Sequence, residues 1–429
     1  MIGTMGPTRS TVDRVSEWGR RVRGSRIMRC ALALAAVIGV TGAVAGCSDA
    51  GRPGVTRNPP VAALHSTIAP GAQQVGIAEP LVIVAVGGTL STVAVTAGGT
   101  PVNGVVSPDR TRWTSDPLAY DVEYAVDATG LARAGTPIAP LKTTFHTVRP
   151  NRTLQVAAFR PTDGQVVGVA MPISIYFNYP VRDKAAVERE LKVTPSNRTE
   201  GSFNWVGDAQ VNWRPKEFWT AGTKVEIDAA LRGVNAGSGT FGATDVRSGF
   251  TIGARHEAVG DVAAHTLTLL DDGRPVQTMP ASFGRPQYPT QYGMHVAFEK
   301  HLSKRMRSDS WGGPREGQPG FYDEILPLAV RISGNGEFVH VNGATVGVQG
   351  RYNVSHGCAN LSPANGRIFF DWVQIGDPVN IIGSNVPLTP KDGDIADWLI
   401  PWDQYTAGSA LRPITPAAPV TPTITRVTE

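Results

Sequence analysis

Between residues 80 and 253 the chain alternates apolar and polar positions in short runs. PLVIVAV (80–86), STVAVTA (91–97), YDVEYAV (120–126) and KTTFHTV (142–148) are separated by Gly, Pro, Asn and Asp. LQVAAF (154–159), PISIYFNYPV (172–181), FNWV (203–206), TKVEIDAAL (223–231) and SGFTIG (248–253) continue the pattern. Period-two alternation at this spacing predicts short strands in β-sandwiches. The two stretches read as a divergent repeat. Trp113, Val122-Glu123-Tyr124 and Phe145 in the first answer to Trp213, Val225-Glu226-Ile227 and Phe250 in the second. Two immunoglobulin-like modules in tandem are expected, residues 79–148 and 149–253, serving as spacers.

The texture changes from residue 254. HTLTLLDDGRPVQTMPASFG predicts a hairpin turning at Asp272-Gly273. Residues 285–324 are rich in Gly, Pro and charge, and predict one long functional loop, a lid. LAVRIS and EFVHVN predict buried strands, and DPVNII a closing strand. SPANGRIFFDWVQIGD predicts a helix capped by Ser362, with Pro363 in its first turn and Gly376 at its end. Ile368, Phe369, Trp372 and Val373 would form its inner face. The fold class is therefore mainly β, two sandwiches followed by a β-rich domain over 254–384 with one or two short helices. Residues 385–411, with ADWLIPWDQY, form a C-terminal subdomain expected to pack back on that domain. The tail 412–429 lacks core residues and is expected to be disordered.

The N-terminus belongs to none of these domains. RVRGSRIMR precedes the uncharged run CALALAAVIGVTGAVAG, the layout of an export signal. It ends in Val44-Ala45-Gly46-Cys47, which resembles the bacterial lipobox, where cleavage precedes a cysteine that is then acylated. A transmembrane anchor is the alternative, but the run is short for a span and weakly apolar. Residues 1–47 are read as a lipoprotein signal peptide and 48–78 as a flexible linker. The protein is then exported and held by lipid on Cys47 at the outer face of the membrane. Composition changes the picture little, at 41% hydrophobic and 18% charged over 429 residues. Charge removes one possibility. The formal net charge is +4, but the leader holds seven arginines against Asp13 and Glu17, so the rest is nearly neutral. No nucleic-acid partner is implied.

Cysteine usage then isolates one residue. Of Cys30, Cys47 and Cys358, the first lies in the leader and the second would carry lipid. Cys358 remains as a thiol with no intramolecular partner in an oxidising compartment, a pattern that flags reactivity. A nucleophilic thiol needs a base and donors aimed at an oxyanion. In Ser355-His356-Gly357-Cys358, Gly357 permits a tight turn in which the Gly357 and Cys358 N–H groups could converge. His340 ends GEFVH, and the fourteen residues 341–354 could loop back to deliver Cys358 beside it. A metal held by His340, His356 and Cys358 has suitable atom types but no evident fourth ligand, and it would occupy the thiolate. No metal or cofactor is expected.

His340, fourteen residues, then Ser355-His356-Gly357-Cys358-Ala359-Asn360 resembles the signature of the L,D-transpeptidases, with the YkuD-type catalytic domain over roughly 255–384. The lipobox and tandem modules also resemble the mycobacterial lipoprotein members. The resemblance implies acyl transfer: Cys358 attacks a donor tetrapeptide stem of peptidoglycan and releases the terminal D-alanine as a thioester forms. A diaminopimelate amine then takes the acyl group, giving a 3→3 cross-link. His340 would be the general base, its second nitrogen held by the main-chain carbonyl of Val341. His356, Gly357 and Cys358 would frame the oxyanion site, with Ser355 in the same turn. Asn360 would shape the turn or hold substrate, and Tyr322, Trp311 and Met306 match lid positions. Carbapenem β-lactams are implied as covalent inhibitors. Two alternatives stand beside this reading: an L,D-carboxypeptidase of the same fold, and a catalytically inactive wall-binding lipoprotein.

Overall fold

The computed structural model describes residues 61–390 and 396–411. The leader, Cys47 and the tail 412–429 lie outside them. Among the described residues no helix is long and apolar enough to cross a membrane.

The first module pairs two four-stranded sheets. One runs Ala63–Ser66, Val82–Val86, Arg112–Ser115, Gly104–Val106; the other runs Thr100–Pro101, Gly88–Ala97, Glu123–Ala132, Leu141–His146. Ile83, Leu90, Trp113, Tyr124 and Phe145 belong to its core. The second module repeats the plan. Its sheets are Val156–Arg160, Ile173–Phe177, Gln210–Pro215, Gly201–Trp205 and Val166–Val167, Val246–Ile252, Lys224–Ala229, Leu191–Pro195. The repeat is visible in one device. In each module the core tryptophan lies over a glycine of the neighbouring strand. A Cβ would sit 2.3 Å from the Trp113 ring at Gly104 and 1.9 Å from the Trp213 ring at Gly201. The linker expectation over 48–78 needs correction at its C-terminal end. Ala63–Ser66 pairs antiparallel with Val82–Val86, and Ile77 is buried in the core. The strand is only four residues long, and the Pro and Gly residues after it mask its period.

The third domain contains two sheets. A five-stranded one runs Arg274–Pro280, Thr266–Asp271, His256–Asp261, Pro378–Ile382, Gly293–Val296. A four-stranded one runs Glu299–Arg307, Asp323–Arg331, Phe338–Val341, Ala359–Leu361. The expected hairpin turn is present, with Asp272 and Gly273 at φ 49° and 75°. The expected long loop 285–324 is instead largely paired: Glu299–Arg307 and Asp323–Arg331 form a hairpin with a shorter loop between them. Its distal part is pinned by Arg305–Asp323 and Arg307–Asp323 ion pairs. With little to bury there, it carries no clean apolar alternation.

The helix spans Pro363–Trp372, and Ser362 Oγ accepts from the Asn365 N–H at 3.2 Å. It stops short of the expected glycine, because the backbone is already extended at Val373, at φ −70° and ψ 138°. Gly376 instead takes φ +96° in the following turn, where a Cβ would meet Gly168 and Met171. The inner face is also shifted from expectation. A Cβ on Gly366 would sit 2.3 Å from a Val341 methyl, and Gly366, Phe369, Phe370 and Val373 are the buried positions. Ile368 is 41% exposed.

The C-terminal segment does not pack on the third domain alone. Asp397 accepts from Asn212 Nδ2 at 3.0 and 3.1 Å. Trp398 Nε1 donates to the Ala170 carbonyl at 2.6 Å, and Arg214 donates to the Ile400 carbonyl at 2.9 Å. Glu188 accepts from the Ala410 N–H at 2.8 Å. The segment is thus a strap across the second module. Its aromatic residues meet a cation there, since Arg214 lies over Trp398, Trp402 and Tyr405.

The second module also meets the third domain directly. The Gly168 N–H donates to the Ile375 carbonyl, and the Ala170 N–H to the Gly376 carbonyl. A freely separable spacer is therefore not what the second module is. At Gly168 a Cβ would lie 2.1 Å from Asp377 Oδ1 and 2.3 Å from its backbone nitrogen. Gly168→Ala is expected to destabilise the chain by about 1–3 kcal/mol through overpacking, read as a lowered midpoint in urea unfolding.

Candidate active site

Cys358 closes a four-residue turn at the mouth of the strand Ala359–Leu361. That strand pairs in parallel with Phe338–Val341, matching Val339 to Ala359, His340 to Asn360 and Val341 to Leu361. Side chains alternate along a strand, so Cys358 and Asn360 share one face, and His340 joins it from the neighbour. Val339, Val341, Ala359 and Leu361 point the other way, into the core with Phe369. Cys358, His340 and Asn360 line one pocket with Ser355, His356, Tyr322 and Met306. Met306, Ala329 and Phe338 form a small apolar cluster, against which Tyr322 and Cys358 pack.

The turn is held by its own serine. Ser355 Oγ donates to the Cys358 carbonyl at 2.6 Å and accepts from the Gly357 N–H at 3.1 Å. Gly357 sits at φ +123°, a conformation that glycine adopts readily. The expected convergence of two N–H groups on an oxyanion is corrected here, because the Gly357 N–H is committed to Ser355. Sequence reading missed Thr290, which is fully buried. Its Oγ1 donates to the Gly357 carbonyl at 2.7 Å and accepts from the Gly284 N–H. It missed Arg285 as well. Arg285 Nη2 lies 2.6 Å from His356 Nε2, so His356 accepts there and is a turn residue with a fixed tautomer. The Tyr288 and Tyr322 rings flank the imidazole at 5.1 and 4.8 Å. No spacing rule links residues 285, 288 and 290 to a turn so far along the chain.

The three lid assignments fall around the thiol. Tyr322 and Met306 line the pocket that holds His340, and Trp311 lines the cleft on the other side of Cys358. Trp311 Nε1 donates to Tyr322 OH at 2.8 Å, and the Trp311 ring meets Tyr288 edge-on. Val341 does not reach the pocket with its side chain, which is buried in the core. Only its carbonyl serves the site, accepting from His340 Nδ1 at 3.0 Å. Asn360 Oδ1 is buried with no hydrogen-bond partner among the described residues. Such an acceptor is costly to leave empty.

Burial dominates the electrostatics. It pushes the Cys358 thiol up to about 12, with the Glu337 carboxylate adding to the rise and the Phe338 backbone opposing it. It pushes His340 down to about 4, against the Val341 carbonyl. Burial and then the Arg285 charge lower His356. Tyr322 is raised to about 12, chiefly by burial. At neutral pH the candidate nucleophile and its base are both uncharged. His340 Nε2 is the free acceptor, since Nδ1 donates to Val341. Cys358 itself keeps some solvent contact.

A buried histidine and a thiol that line one pocket, on paired strands behind Ig-like modules, define a class that similarity to known proteins then identifies. Residues 255–381 match the family described as L,D-transpeptidase catalytic domain, and residues 72–235 match the one described as bacterial Ig domain. L,D-transpeptidase 5 of Mycobacterium tuberculosis is 38% identical over 372 residues, covering 84% of this chain and 80% of that protein. L,D-transpeptidase 2 of Mycobacterium tuberculosis is 36% identical over 349 residues, covering 81% and 85%. A solved L,D-transpeptidase in complex with imipenem is 36% identical and spans 55% of this chain and 100% of that one, at a TM-score of 0.47. The chain belongs to the L,D-transpeptidase family.

Because burial holds His340 neutral down to about 4, the base stays available through mildly acidic pH. The second-order rate constant for acylation is expected to hold from about pH 8 to about 5 and fall as pH approaches 4, as a free-enzyme profile reports. A fall centred near the ordinary histidine value would contradict the buried-base geometry. Ser355→Ala frees the turn and is expected to slow acylation by about 100-fold, the scale of a misplacement of roughly 1 Å, measured in the same assay.

Proposed function

We propose that this exported enzyme forms 3→3 cross-links between peptidoglycan stem peptides through a thioester on Cys358. The observation that carries the reading is the one pocket shared by the Cys358 thiol, the His340 imidazole and the unpartnered Asn360 oxygen. His340 Nε2 takes the thiol proton as sulfur attacks the donor carbonyl. The C–N bond to the terminal D-alanine then breaks, and the proton passes from His340 to the departing amine. The diaminopimelate amine of a second stem attacks the thioester and gives its proton to His340; the C–S bond breaks, and His340 returns the proton to the departing sulfur, restoring the thiol. The Cys358 N–H would face the developing oxyanion, with the Gly357 N–H occupied by Ser355. Asn360 Oδ1 would accept a substrate N–H, and Tyr322, Trp311 and Met306 would cover the acyl chain.

Carbapenems would acylate the same thiol, as strained acyl donors presented to a fixed nucleophile. Lipid on Cys47 would hold the chain at the outer membrane face, and the first module would carry the site away from it.

Incubation with tetrapeptide stems, read by mass spectrometry, is expected to give a cross-linked dimer and free D-alanine. Tripeptide without dimer would establish the hydrolase reading instead. Cys358→Ala is expected to abolish both products and the carbapenem adduct; an adduct that survives the substitution would remove Cys358 as nucleophile.

A further inference from the structure

Under the Cys358 turn lies a buried acid–imidazole pair that no step above uses. His295 Nε2 is 3.1 Å from Glu337 Oε2, and both side chains are out of solvent. His295 Nδ1 faces the Gly293 carbonyl at 3.1 Å. A carbonyl only accepts, so Nδ1 carries a hydrogen, and a single further proton lies between Nε2 and Oε2. The other carboxyl oxygen, Oε1, accepts the Gln291 N–H at 2.8 Å, and the Glu337 N–H donates to Ser333 Oγ at 3.1 Å. The acid is therefore fixed.

It is fixed against the nucleophile's turn. A Cβ placed on Gly357 would lie 3.7 Å from Glu337 Cγ. The preceding residue, Gly336, presents its carbonyl to Cys358 Sγ at 3.9 Å. The Glu337 charge acts on the thiol from this position, disfavouring the thiolate. The other titratable groups lining the pocket with Cys358 are His340, His356, Tyr322 and Glu324, with Arg285 behind His356. Asp377 adjoins the far end of the His295 strand, where Val296 pairs with Pro378.

We propose that Glu337 and His295 are positioning residues for Cys358: the acid braces the turn, and the imidazole offsets the acid's charge so that the thiol can yield its proton. This rests on Cys358 being the nucleophile and on no claim about the acceptor. Removing either partner should change thiol reactivity in opposite directions. Glu337→Gln keeps an acceptor for Gln291 and a donor for a neutral His295; it removes the carboxylate, the member of the pair that lies against the Cys358 turn, together with the proton the carboxylate shares with the imidazole. His295→Gln keeps a donor to Glu337 but leaves the carboxylate unbalanced.

The test is alkylation of the full chain by iodoacetamide, an uncharged probe, with modification at Cys358 read by peptide mass spectrometry between about pH 6 and 10. Glu337→Gln is expected to raise the rate at fixed pH by about threefold, and His295→Gln to lower it by about as much, each equal to roughly half a pH unit of displacement. Rates that fall in both variants, or change in neither, would overturn the proposal in favour of a packing role. If His295→Gln does not fold, Glu337→Gln decides alone: a rise supports the proposal, and a fall or no change overturns it. Stem-peptide cross-linking is followed in parallel. Its absence in the unsubstituted chain would sink the transpeptidase reading and leave the alkylation result standing.

Discussion

The parallel pairing of Phe338–Val341 with Ala359–Leu361 is three residue pairs long, and the site exists only in that register. A slip of one residue in either strand would turn His340 or Asn360 into the core and bring an aliphatic neighbour to the pocket. The register is held from several sides. Val339, Val341, Ala359 and Leu361 are all buried in one cluster. Ser282 bridges to Asn360, and Gly284 to Ser355, on the opposite flank. Gly366 lets the helix press directly on Val341. Core packing thus decides which side chains face the pocket.

The same packing dictates the resting charge state. A thiol and an imidazole that are buried both favour their neutral forms. A site of this design does not store a thiolate. Under the proposed mechanism it would hold a protonated sulfur near a base of low basicity and form the nucleophile only as the electrophile arrives. Such a thiol is a poor target for oxidants, which attack thiolates. That would suit the exported setting proposed for this chain.

Much of this is legible in the sequence, for identifiable reasons. The sandwiches show because each has a dry inner face and a wet outer face, so alternation survives in the residues. The Ser355–Asn360 turn is legible because its chemistry is local: a serine, a glycine and a cysteine within four positions build it. The hairpin of Glu299–Arg307 and Asp323–Arg331 is not, because a distal end stabilised by Arg305, Arg307 and Asp323 has no buried stripe to display. Arg285, Thr290, His295 and Glu337 escape notice for the opposite reason. Each serves the turn across a long separation in sequence, and a pairing such as Arg285 with His356 is created only by the fold. The strap at 396–411 follows the third domain in sequence but bonds to the second module, since chain adjacency is a weak guide to where a tryptophan meets its cation.

That strap has a mechanical consequence. The chain leaves the second module near residue 253, builds the third domain, and returns to bond Asn212, Arg214 and Glu188 of the same module. The third domain is therefore clamped at both of its ends, and a single swivel at the entry linker cannot turn it.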